Sequence, residues 1–204
     1  MAKKIYLSPS NQNGNKYATG NTNEMEQCNK IAAAAEAALK RCGFSVKRAP
    51  KGQEMGKSIS ESNAWKADLH IPIHTNAFDG RTTGGTMIMV YSNSGENAKA
   101  AKAIKAALDP LTPGKDYAIQ TRTDLAELRQ TTAIAVYCEC EFHDTKEGAS
   151  FIIANSKGCM RLLRREIHST RKRGSKSEVL RPDWRVCRKK ERGSTGKSGK
   201  SKRL

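Results

Sequence analysis

The 204-residue sequence predicts an α/β fold, a twisted and mostly parallel sheet flanked by helices, followed by a disordered basic C-terminal tail. Two observations carry the first half of that expectation. Short β-type runs alternate along the chain with helical patterns of ten or more residues, the arrangement that builds parallel sheets. The polar groups that end those runs, Ser8 to Gln12, His74 to Asn76 and Glu139 to Asp144, are placed to converge at one sheet edge. Such sheets bind ligands beyond the carboxyl ends of their strands. Charge sets off the tail. Residues 1–156 hold 19 Lys/Arg against 16 Asp/Glu, and residues 157–204 hold 18 against 4, so most of the net +17 lies in the last quarter.

The elements follow in order. KKIYLS (residues 3–8) reads as a strand that stops at Pro9, and PSNQNGNKYATGNT (9–22) as a loop rich in Asn, Gly, Ser and Thr. Thr22 or Asn23 can cap a helix through EMEQCNKIAAAAEAALKRCG, whose alanines favour helix and whose Gly43 ends it. FSVKRA (44–49) is a second strand, SISESNAWKA (58–67) a short helix and DLHIPIHTN (68–76) a third strand. GGTMIMVYS (84–92) is a fourth strand, ENAKAAKAIKAALDPL (96–111) a helix and TAIAVYCECEF (132–142) a buried fifth strand. TKEGASFIIANSKGCMRLLRREIH (145–168) is a last helix that turns basic along its length. Beyond about residue 170 the apolar periodicity lapses into the composition of a disordered tail. The expected division is a folded domain over 1–168 and a basic low-complexity tail over 169–204.

Several function classes drop out. No run approaches the roughly 18 apolar residues of a membrane span. MAKKIYLSPS has no apolar stretch behind its lysines, so the expected protein is made in the cytoplasm without a signal peptide. Six cysteines (Cys28, Cys42, Cys138, Cys140, Cys159, Cys187) form no zinc-finger spacing and read as free thiols. GSTGKSGKS lacks the glycine spacing of a phosphate loop and follows no strand. Any affinity for polyanions, nucleic acid or anionic wall polymers belongs to the tail.

HIPIHTNA places two histidines four residues apart. In a strand they share a face but lie about 13 Å apart along it, too far to hold one zinc together. His74, at the strand's carboxyl end, is the better metal candidate; His70 reads as a structural residue or one supporting the site from behind. Glu24 opens the first long helix, where a carboxylate also suits the helix dipole, as does Glu26. Glu139 lies within an apolar strand, where a carboxylate is costly without a partner or a function. It suits the general base of a zinc hydrolase, and its neighbour Glu141 suits a structural role. His143 reads as a supporting or substrate-contacting group, or equally as a surface loop histidine.

These pieces resemble the zinc-dependent type 3 class of N-acetylmuramoyl-L-alanine amidases of bacterial cell-wall enzymes and phage lysins. The matching stretches are IYLSPSNQ, GNTNEMEQCNKIA, ADLHIPIHTNA, GGTMIMVYS and VYCECEFHD, over roughly residues 3–156. The resemblance implies an amidase/phosphorylase-hydrolase-like sheet and peptidoglycan as partner. It also implies cleavage of the amide between N-acetylmuramic acid and the stem peptide's L-alanine. Carried over by position, it implies Zn²⁺ held by Glu24 and His74, with Glu139 as catalytic glutamate. The family's first ligand is a histidine in the turn after the first strand; here Asn11 stands there, an SPSNQ-like subtype, with Gln12 or His143 as substitutes. The absence of a signal suggests a phage or prophage endolysin that reaches the wall on release. The competing expectation is a non-catalytic wall-binding protein on the same fold with a degraded zinc site; a tail-driven nucleic-acid binder ranks below both.

Overall fold

The computed structural model describes residues 2–79, 84–115 and 117–156. The expected tail over 169–204 and the basic end of the last helix lie outside the described residues.

Among the described residues twelve elements run in the order β1 Lys4–Pro9, α1 Glu24–Arg41, β2 Ser45–Arg48, α2 Met55–Ala64, β3 Leu69–Asn76, β4 Met87–Val90, α3 Gly95–Leu108, β5 Gln120–Thr121, α4 Ala126–Arg129, β6 Ile134–Ala135, β7 Tyr137–Phe142 and α5 Lys146–Asn155. The sheet order is β2-β1-β3-β7-β4-β5, with β6 beside β3. Every described strand pairing is parallel except β4 with β7. The mostly parallel sheet is therefore present, with one antiparallel pair inside it.

Three expectations need correction. The single buried strand over 132–142 is two strands broken at Val136, whose N–H donates to the His70 carbonyl at 3.1 Å. β1 includes Pro9, whose missing N–H falls on the β2 side beyond the last β1–β2 pair, Leu7 with Arg48, while Ser10 N–H bonds the Ile73 carbonyl on the other side at 2.9 Å. β5 and α4, at two and four residues, carry too little periodicity to stand out in the sequence.

Local chemistry explains the helix limits. Asn23 Oδ1 accepts from Glu26 N–H at 2.9 Å, capping α1, and Gly43 leaves the helix at a φ of +90°. Alternation then sorts the strands by face. Leu7, Leu69, Ile71, Ile73, Val136, Cys138 and Cys140 join α1, α3 and α5 in the main core. Each fully buried Leu or Ile contributes about 1.5–3 kcal/mol by leaving water. The opposite face carries Tyr6 packed on Ala49 and Ala67, and Met89 with Leu128 and Ala135. His70, His74 and Glu139 share the parity of this second face. Among the described residues Cys28, Cys42, Cys138 and Cys140 are buried.

α5 docks tightly against the end of β7. A Cβ on Gly148 would lie 2.0 Å from the Phe142 carbonyl oxygen. Gly148→Ala is therefore expected to cost about 1–3 kcal/mol by overpacking. Thermal denaturation should show a melting temperature lower by several degrees; an unchanged value would contradict this packing.

Candidate metal centre and active site

The loop after β1 folds over the start of α1. Met25 N–H donates to the Gln12 carbonyl at 3.2 Å and Glu24 N–H to the Asn15 carbonyl at 2.9 Å. Its far side is pinned by Tyr17, whose hydroxyl lies 2.9 Å from Thr75 Oγ1 and whose ring stacks on His143 at 4.9 Å. His143 Nδ1 in turn lies 3.0 Å from Thr75 Oγ1. His143 is thus engaged in holding this loop, on the parity opposite to His74. Glu26 pairs with Lys51 at the surface. Glu141 accepts from Gly85 N–H and Phe142 N–H at 2.7 Å each, fastening the glycine turn to β7.

The folded loop brings Glu24 onto His74. Glu24 Oε1 lies 2.8 Å from His74 Nδ1, and Asn15 Nδ2 donates to Glu24 Oε2 at 2.7 Å. Both residues are buried. Burial alone would raise the Glu24 carboxyl, but the hydrogen bond and charge of His74, with Asn15 and Ser10, hold it below the usual carboxylate range. Burial alone would lower His74, but the Glu24 hydrogen bond and the charges of Glu139, Glu24 and Glu127 raise it. The space between Nδ1 and Oε1 therefore favours a positive charge.

Glu139 sits opposite His74 in the β3–β7 register. Burial, with the Glu24 charge adding, pushes its carboxyl up to about 7 against the opposing pull of His74 and Arg122. Its Oε2 is buried and makes no hydrogen bond among the described residues. The His74 ring stacks on Tyr137 with centroids 4.5 Å apart. In front of the pair lies an open cleft lined by Asn11, Gln12, Met55, His74, Glu127 and Tyr137 among others.

Among the described residues no three His, Cys, Asp or Glu side chains are grouped to hold a metal ion. The donor set is Glu24 and His74, with the half-buried Asn11 lining the same cleft where the resemblance expects a histidine. An amide oxygen is a weaker zinc donor than imidazole. The electrostatics nonetheless fit a dication. Three carboxylates act on one imidazole, and one of their oxygens is buried without a partner.

Glu127 carries no motif, yet it is 4% exposed and reaches both histidines of β3. The only sequence signal is a carboxylate in the apolar-flanked turn DLAEL ahead of a buried strand.

An acid–imidazole pair with a buried carboxylate across the strand, at the carboxyl edge of an open α/β sheet, is an arrangement suited to hydrolysis. The comparison with protein families narrows the class: the chain belongs to the N-acetylmuramoyl-L-alanine amidase family, whose profile matches residues 7–158. Solved structures agree in fold. The amidase AmiC2 of Nostoc punctiforme superposes with a TM-score of 0.73 at 13% identity, covering 83% of this chain and 97% of that one. An N-acetylmuramoyl-L-alanine amidase of Clostridium difficile 630 gives 0.73 at 18% identity, covering 85% and 99%. The catalytic domain of the CD27L endolysin targeting that organism gives 0.68 at 22% identity, covering 82% and 98%. A search of curated protein sequences finds no match.

Proposed function

We propose that this chain is a zinc-dependent peptidoglycan amidase that hydrolyses the amide joining the lactyl group of N-acetylmuramic acid to the stem peptide's L-alanine. The observation that carries this reading is the Glu24–His74 pair, 2.8 Å apart beside the cleft with Glu139 across the strand. Glu24 and His74 would hold the metal, with Asn11 as a neutral third donor. Bound zinc supplies Lewis acidity that polarises the scissile carbonyl and makes water nucleophilic at neutral pH. Glu139 does the proton work: its carboxylate takes the proton of the attacking water and delivers it to the leaving amine nitrogen of L-alanine. The Tyr137 ring keeps the His74 imidazole from turning. The cleft, closed at its back by the sheet edge, orients the peptide end. With CD27L among its structural neighbours, the chain suits an endolysin-type role at the cell wall.

Asn11 favours one rival, a wall-binding protein without catalysis. Digestion of purified peptidoglycan with mass analysis of the soluble products separates the two. The expected products are peptides beginning with a free L-alanine amine and glycan strands with intact lactyl groups. Cosedimentation with the wall and no released peptide would favour the rival.

A further inference from the structure

The buried polar groups at the wall of the cleft and behind it are not explained by the reaction described above. Glu127 places Oε1 3.1 Å from His70 Nε2 and Oε2 4.0 Å from His74 Nε2. One carboxylate therefore spans two imidazoles from the same face of β3, four residues apart in sequence. A carboxylate this deeply buried is expensive unless it is held and used.

His70 does the holding. It is fully buried, its ring stacks on Tyr6 at 5.4 Å, and its Nδ1 makes no hydrogen bond among the described residues. A neutral imidazole carries one N–H, and among the described residues the acceptor that the ring meets lies at Nε2. The proton of His70 therefore sits on Nε2 and is donated to Glu127, fixing that carboxylate in place.

His74 is addressed from both ends. Its Nδ1 faces Glu24 and its Nε2 faces Glu127. We infer that Glu127 is a positioning residue for the metal centre: anchored by His70, it receives the Nε2–H of His74 and so leaves the Nδ1 lone pair facing Glu24 and the metal. This rests on the reading of Glu24 and His74 as zinc ligands. The physical reason is general. A histidine that binds metal through one nitrogen donates its other N–H to an acceptor, which sets the tautomer and ring orientation and strengthens the ligand. At 4.0 Å the contact is an ion pair rather than a formed hydrogen bond. Ligation at Nδ1 makes the Nε2–H more acidic and strengthens its pull toward Glu127.

The test adds Zn²⁺ to the metal-free full-length chain in competition with a chelator of known affinity, for wild type and Glu127→Gln. The variant should bind zinc about 10–100-fold more weakly while remaining folded. Equal affinity in wild type and variant overturns the inference and leaves the zinc reading standing. No zinc uptake by wild type defeats the zinc reading, and the inference falls with it. A measurement on wild type alone covers a variant that fails to fold. In ¹⁵N imidazole spectra of the zinc-loaded protein, His74 should be ligated at Nδ1 and protonated at Nε2. Ligation at Nε2 overturns the inference.

Discussion

Glu139→Gln is expected to lower peptidoglycan hydrolysis by about 10²–10⁴-fold while leaving the fold and zinc uptake intact. Glutamine keeps the volume of the side chain and loses its capacity to take a proton. The effect should fall on kcat more than on KM, because the proton moves only as the bond breaks. The pH profile carries a second sign. Without metal, burial holds the Glu139 carboxyl at about 7. A dication nearby favours the charged form, so the working value lies lower. Wild-type kcat/KM should thus rise with pH through that lower value and level off above it. The limb belongs to the base and should vanish in Glu139→Gln. Equal rates for variant and wild type would remove Glu139 from the reaction.

His74→Ala and Glu24→Ala are expected to abolish both zinc binding and hydrolysis. Each removes one of the two ionisable donors, and Asn11 offers only a neutral oxygen to the one that remains. The two variants differ in what they leave behind. His74→Ala strands the buried Glu24 carboxylate without the imidazole that holds it ionised. Glu24→Ala instead opens the space at Nδ1. Both should melt below wild type, and elemental analysis of the folded fraction should find no zinc. Hydrolysis that persists in either variant at the wild-type rate would refute this ligand assignment.

How much of this was legible in the sequence depends on range. Some elements were legible: Asn23 before a run of alanines marks a helix start, and HIPIHTNA, with Pro72 inside it, marks a strand, whereas the short second helix runs over Met55–Ala64 rather than the expected 58–67. Together they put Glu24, His74 and Glu139 at the sheet edge, and the structure gathers all three there. What stayed hidden is cross-chain pairing. His70 meets Glu127 across 57 positions, and α4, which carries Glu127, is four residues long. His143 reads in the sequence as either a supporting group or a surface histidine; it is buried and held by Tyr17 and Thr75, again through distant parts of the chain. The break at Val136 was hidden because β6 and β7 keep one register against β3, so nothing in the continuous apolar run marks it. The two histidines of HIPIHTNA cannot hold one metal through their own strand spacing. They are joined through the single carboxylate of Glu127.

The account stands or falls most directly on whether hydrolysis depends on the metal. Purified peptidoglycan is treated with the wild-type chain, with the chain stripped by chelator, and with the stripped chain resupplied with Zn²⁺, and newly exposed L-alanine amino ends are counted. The account predicts release by the wild type, loss on stripping and recovery with zinc. Release that continues undiminished after zinc has been removed would contradict it.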